Sequence, residues 1–289
     1  MARLEFEFYS TALARQVEIS CVLPEPRAPY VSSATQAEPQ DCRHVRPRPE
    51  DYRLSDVERR VPVLYLLHGY QGNRHSWLDH SRIEALAERH GFMAVMPSAE
   101  NSLYLNSERG RAQYEDYIIY ELPDLIEVSF RVARGRQNRF LAGNSMGGFG
   151  ALRLGLLYPE RYTAIAAFSP ALMSDAEGRA AFYQSADYAA EISGRLPELE
   201  TGVREDLDLW NLARNYRSRL ASSDEEAVDI YLTCGESDPL FPLVDSYAAE
   251  LQKIGLKHVY RAGTGAHIYS YWDLELGRFI SQMKKWGRL

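Results

Sequence analysis

The 289-residue chain is 45% hydrophobic and 25% charged, with a net charge of −7 and a pI near 5.6. That is enough apolar material for a substantial core and excludes global disorder, while the acidic balance argues against a general nucleic-acid binder. Three scattered cysteines, Cys21, Cys42 and Cys234, exclude a disulfide framework, leave at least one thiol free, and without a CxxC pair offer no structural zinc site.

Leu4 to Tyr9 and Gln16 to Leu23 alternate apolar and polar residues, which predicts an antiparallel strand pair with one wet face. The opening MARLEFEFYS lacks the apolar core of a signal peptide, and no run approaches a membrane span. The expectation is a soluble cytoplasmic protein without a membrane partner; a homo-oligomer is left open. Pro24 to Arg60 holds six of the fourteen prolines and reads as a long surface excursion (24–60).

Val63 to Leu67 then begins a different texture. This run and Phe92 to Met96, Arg139 to Ala142, Ala164 to Phe168 and Val228 to Thr233 are continuously apolar or nearly so, as in strands buried on both faces. Helical patterns lie between several of them, at Ile83 to His90, Tyr114 to Val132, Met146 to Leu157 and Ser246 to Ile254. Such alternation predicts one α/β domain over 1–289, a mostly parallel sheet with helices on both faces. Pro123 predicts a break within its helix, because proline removes a donor and crowds the preceding turn. Ala171 to Glu226 is too long for a simple connection and reads as a helical insertion (171–226), a candidate cap. A C-terminal helix is expected over Leu274 to Trp286.

The chemistry concentrates at the ends of these strands. Gly143-Asn144-Ser145-Met146-Gly147 follows one predicted strand and opens a helix, the context that a nucleophile elbow requires. A turn tight enough to lift the serine hydroxyl above the sheet strains the serine backbone and leaves no room for flanking side chains. His68-Gly69-Tyr70-Gln71-Gly72 follows the first buried strand, and the amides of Tyr70 and Met146 are the candidate oxyanion donors.

Seven histidines compete for the role of base. His44 falls in the proline-rich excursion, His68 in the oxyanion turn, and His75 and His80 just after it. His90 closes a helix and His258 precedes the last strand. His267 lies after Val259 to Arg261, at the sheet edge where Ser145 emerges. Asp238, in Cys234-Gly235-Glu236-Ser237-Asp238, is favoured to orient it over Glu236 and Asp245. The order serine, aspartate, histidine is that of the α/β-hydrolase fold.

At these residues the chain resembles the tributyrin esterase family, esterase D-like serine carboxylesterases of the α/β-hydrolase superfamily. The carriers are Val63 to Trp77, Ala142 to Gly150, Cys234 to Asp238 and Gly265 to Trp272, with the opening FEFYSTALARQVEISCVLP. The resemblance implies hydrolysis of small-molecule, short-chain acyl esters with no metal or organic cofactor. It places the nucleophile on Ser145, the acid on Asp238, the base on His267 and the oxyanion donors on Tyr70 and Met146. The excursion 24–60 is longer than expected for the family, so acyl preference does not carry over. The Ser-Gly-Leu-Thr-Cys turn of S-formylglutathione hydrolases is replaced here by His-Gly-Tyr-Gln-Gly, which lowers the case for glutathione thioesters. The rival readings are a feruloyl or acetyl esterase acting on carbohydrate esters, an acyltransferase, and a non-catalytic binding relative.

Overall fold

The computed structural model describes residues 1–24, 60–107, 112–172 and 205–289. Residues 25–59 of the excursion 24–60 and the centre of the 171–226 insertion therefore lie outside the described residues, as does Cys42. Eight strands among the described residues form one sheet: β1 (Ala2–Ser10), β2 (Arg15–Leu23), β3 (Val63–Leu67), β4 (Met93–Pro97), β5 (Arg139–Asn144), β6 (Ala164–Phe168), β7 (Asp229–Gly235) and β8 (Val259–Gly263). Their order is β1-β2-β4-β3-β5-β6-β7-β8. The β1–β2 and β2–β4 pairs are antiparallel, and every other pair is parallel.

Seven helices carry labels here: α1 (Ser76–His80), α2 (Ile83–His90), α3 (which opens at Tyr114–Asp116), α4 (Met146–Leu157), α5 (Leu209–Ala221), α6 (Phe241–Lys253) and α7 (Tyr269–Lys285). The side chains of β3 show how the sheet is covered. Val63, Tyr65 and Leu67 join one core with residues of α3 to α6, while Leu64 and Leu66 join the other with residues of α1, α2 and α7. That is the period of two expected of a strand with apolar layers on both faces. The burial of β1 alternates between exposed and half-buried, as its sequence predicts.

The break at Pro123 takes a specific form. After Tyr114–Asp116, α3 widens into a π segment, Tyr117–Glu121, and returns to α-helix over Leu122–Ser129. Proline has no N–H to offer the carbonyls four and five residues back, Ile119 and Ile118. Both are met from outside the helix: Arg161 donates twice to the Ile119 carbonyl (2.7 and 3.0 Å), and the Tyr162 hydroxyl donates to that of Ile118 (2.8 Å). The helix bends its hydrogen bonding around the proline rather than ending there.

Two helices begin earlier than their patterns predict, α6 by five residues and α7 by five. In α6, Pro242 stands in the first turn, where a missing N–H costs nothing. In α7, the aromatic run Tyr269-Ser270-Tyr271-Trp272 has modest helix propensity, and burial of Tyr271 and Trp272 overrides it.

Sequence neighbours β4 and β5 lie on opposite sides of β3, so the chain direction across the sheet reverses there. A crevice at such a switch point, at the carboxyl ends of the strands, is where open α/β sheets bind ligands. Leu67 and Gly143 pair across this line, which sets the His68 turn beside the Ser145 turn.

Candidate active site

Ser145 sits between β5 and α4 with φ 53° and ψ −115°, a conformation that costs a non-glycine residue roughly 1–3 kcal/mol. Backbone bonds hold it there. Its amide donates to the Phe168 carbonyl (2.9 Å), and its own carbonyl accepts from Phe149 (3.0 Å) and Ala171 (3.1 Å). The flanking glycines are sterically required. A Cβ on Gly143 would stand 2.4 Å from the Gly147 carbonyl, and one on Gly147 would stand 2.5 Å from the Leu67 oxygen. These are backbone atoms that cannot swing aside.

The His267 ring spans two partners. Its Nδ1 donates to Asp238 Oδ2 at 2.8 Å, and its Nε2 lies 3.0 Å from Ser145 Oγ, positioned to accept the hydroxyl proton. The Asp238 side chain is fully shielded from solvent, whereas that of His267 is 30% exposed. The His267 ring is thus reachable from outside while its carboxylate partner is not. Burial pushes the Asp238 carboxyl upward, but hydrogen bonds from His267, the Leu240 amide and Ser169 outweigh it and hold its pKa below the ordinary value. The loops carrying the two residues are joined directly: the Glu236 and Ser237 amides donate to the Gly263 and Gly265 carbonyls, both at 2.9 Å.

The competing residues lie elsewhere. Glu236 is exposed, and Asp245 lies inside α6, accepting from the Tyr260 hydroxyl at 3.1 Å. His75 contacts Glu5, His80 stacks on Tyr269 with ring centres 4.8 Å apart, and His258 bonds the Leu256 carbonyl. His44 is outside the described residues.

His68 is a fastener. Its Nδ1 donates to the Gly69 carbonyl (2.7 Å), and its Nε2 accepts from the Ala99 amide (2.9 Å), a pattern that only a neutral ring can satisfy. Burial pushes its pKa down to about 4, against the opposing effect of the Gly69 carbonyl. The turn that follows closes with the Gly72 amide on the Gly69 carbonyl (3.0 Å) and the Gln71 amide on Asn101 Oδ1 (2.7 Å). Tyr70 is thereby fixed beside the nucleophile turn, and Met146 is the first residue of α4, whose opening amides have no carbonyl a turn earlier.

Several residues around the site escaped the motif reading. Ser169, fully buried with φ 46°, accepts from Trp272 Nε1 at 3.0 Å, and its hydroxyl helps to lower the Asp238 pKa. Trp272 sets its ring edge-on to His267, centres 4.9 Å apart. The Tyr104 hydroxyl donates to the His68 carbonyl at 2.8 Å. For Ser169 a signal existed: a polar residue just past the carboxyl end of a buried parallel strand, the position Ser145 and Asp238 also occupy.

Residues 37–280 match the family model described as "Putative esterase". The chain belongs to this esterase family. It is a carboxylic ester hydrolase, built on the α/β-hydrolase fold. Over 292 aligned residues, 99% of each chain, the esterase is 28% identical to an acetyl esterase of Caldicellulosiruptor saccharolyticus. Its fold matches that of an S-formylglutathione hydrolase from Staphylococcus aureus, at TM-score 0.75 and 22% identity over 98% of each chain. It also matches a ferulic acid esterase, at TM-score 0.70 and 20% identity over 98% of each chain. No helix among the described residues is long and apolar enough to cross a membrane.

Proposed function

We propose that this esterase is a serine carboxylesterase of the tributyrin esterase type, with Ser145 as nucleophile, His267 as general base and Asp238 as the orienting acid. The observation that carries the reading is the bridge made by His267, 3.0 Å from Ser145 Oγ and 2.8 Å from Asp238 Oδ2. In the first half-reaction His267 Nε2 takes the Ser145 proton as Oγ bonds to the ester carbonyl carbon. The oxyanion is received by the Tyr70 and Met146 amides. Collapse breaks the bond to the alkoxy oxygen, which leaves with the proton from His267. Water, deprotonated by the same imidazole, then attacks the acyl-enzyme and releases the acid. Asp238 keeps the proton on Nδ1 throughout and stabilises the imidazolium.

The substrate class is small esters of short acyl chains. Support comes from the motif resemblance and from full-length similarity to a relative named acetyl esterase. The folds shared with the ferulic acid esterase and the S-formylglutathione hydrolase carry no substrate information at 20% and 22% identity.

A panel of p-nitrophenyl esters from acetate to long acyl chains, with methyl ferulate alongside, tests the assignment. Activity is expected to peak at short chains, and Ser145→Ala is expected to lose it to background, roughly 10⁶-fold. Turnover by a folded Ser145→Ala variant would refute the nucleophile. A maximum on long chains or on methyl ferulate would refute the substrate class.

A further inference from the structure

Ser169 closes a ring of contacts around the acid–base pair. Trp272 Nε1 donates to Ser169 Oγ, the Ser169 hydroxyl lies beside Asp238 and lowers its pKa, Asp238 accepts from His267, and the His267 ring abuts Trp272. The direction of each bond is forced. An indole N–H can only donate, so it occupies a lone pair of the serine oxygen. An ionised carboxylate can only accept, so toward Asp238 the serine hydroxyl can act only as donor. The Cys234 thiol, 3.8 Å from Ser169 Oγ, adds a weak donor on the same side.

The backbone corroborates this placement. Ser169 holds φ 46° although it is not glycine, and its amide is tied to the Thr233 carbonyl at 2.8 Å. Glycine would adopt that angle at less cost. A serine kept at a position better suited to glycine indicates that its hydroxyl has a use.

We infer that Ser169 is a positioning residue for ester hydrolysis, holding the Asp238 carboxylate and, through Trp272, the His267 ring in the orientation that proton transfer needs. This rests on the reading of Ser145, His267 and Asp238 given above. The titratable groups that face Asp238 among the described residues are His267 and Cys234. Burial pushes the Cys234 thiol up to about 12, so it stays neutral across the working range.

The test is Ser169→Gly, which removes the hydroxyl while relieving the backbone, assayed beside Ser145→Ala. The expected result is a kcat about 10-fold or more lower, as for loss of a hydrogen bond to a charged group, with KM within about two-fold and a Tm lowered by the orphaned Trp272 N–H, in part offset by the relieved backbone. The acid limb of the kcat/KM profile should move to higher pH, because a carboxylate stripped of a donor attracts the imidazolium form of its partner more strongly. A merely structural serine would leave kcat and the acid limb in place. Wild-type values of both in Ser169→Gly, with Ser145→Ala inactive, would overturn the positioning role alone. Activity in Ser145→Ala would overturn the reading of the site and this inference with it. Should the glycine variant not fold, Trp272→Phe carries the test: it keeps an aromatic ring against His267 while removing the second ring and with it the indole donor to Ser169. A kcat lowered about three-fold is expected there, and an unchanged kcat would overturn the proposal.

Discussion

The two flanks of Ser145 are braced by different means. On the acid–base flank, the loops after β7 and β8 and the residue after β6 are joined by buried and half-buried contacts among Asp238, Ser169, Trp272 and His267. On the oxyanion flank, the inner brace is buried too, with His68 clasped between Gly69 and Ala99 and Tyr104 on the His68 carbonyl. Its outer brace, however, is made of charges in contact with water. Arg74 donates to Glu5 (3.0 Å) and Glu18 (2.6 Å), and His75 and Ser20 add further contacts to Glu5 (3.2 and 2.9 Å). The antiparallel hairpin β1–β2 is thus fastened to the segment that follows the oxyanion turn. Buried bonds fix direction and are little affected by salt, whereas exposed ion pairs are screened and individually weak. The flank that must hold a proton-transfer geometry relies mainly on the first kind.

Breaking the acid–base flank should cost most. Asp238→Asn keeps the shape but replaces an acceptor-only group, so nothing enforces the proton on Nδ1 of His267 or stabilises the imidazolium. The expected loss is about 10⁴ in kcat with substrate binding retained, read from steady-state kinetics. A drop below ten-fold would mean that Asp238 does not serve as the acid. The inner oxyanion brace should yield a smaller effect. Tyr104→Phe removes the 2.8 Å bond to the His68 carbonyl in a fully buried setting. Denaturant titration should register about 1–2 kcal/mol of lost stability, and kcat should fall several-fold with KM steady. An effect on KM alone would place Tyr104 in substrate binding instead.

What the sequence makes legible follows from the range of the interactions involved. Steric demands within one turn show locally, which is why Gly143, Ser145 and Gly147 could be read as an elbow, and why Val63 to Leu67 and Ile83 to His90 were delimited as the structure has them. The triad candidates were placed by their position after strands, and the structure brings all three together. Ser169 was missed because its partners lie 69 and 103 residues away in sequence, at Asp238 and Trp272. The fate of Pro123 shows the same limit. A disturbance is dictated locally, but its resolution into a π segment depends on Arg161 and Tyr162, which no window around the proline contains. The buried cluster of Arg153 with Glu115 and Asp206 was also unreadable, since it joins α4 to α3 and to the segment just before α5.

The smallest effect lies in the outer brace, and pH exposes it. Burial tends to raise the Glu5 pKa, but hydrogen bonds from Arg74, Ser20 and His75 overcome this and bring it down to about 2. A carboxyl whose folded-state pKa is depressed contributes stability above its unfolded value of about 4.3 and loses that contribution as pH falls through the folded value. Wild-type protein should therefore lose more stability between about pH 4.5 and pH 2 than Glu5→Gln does, because the variant has no such carboxyl to protonate. Glu5 is 44% exposed, so the difference should stay below about 1 kcal/mol at neutral pH and shrink further in high salt. Stability against pH, measured for both proteins at low and high ionic strength, gives the comparison. Converging curves at low pH and in salt would identify a screened surface brace. A gap that persists in salt would place Glu5 among the buried class of fasteners, and the contrast between the two flanks would disappear.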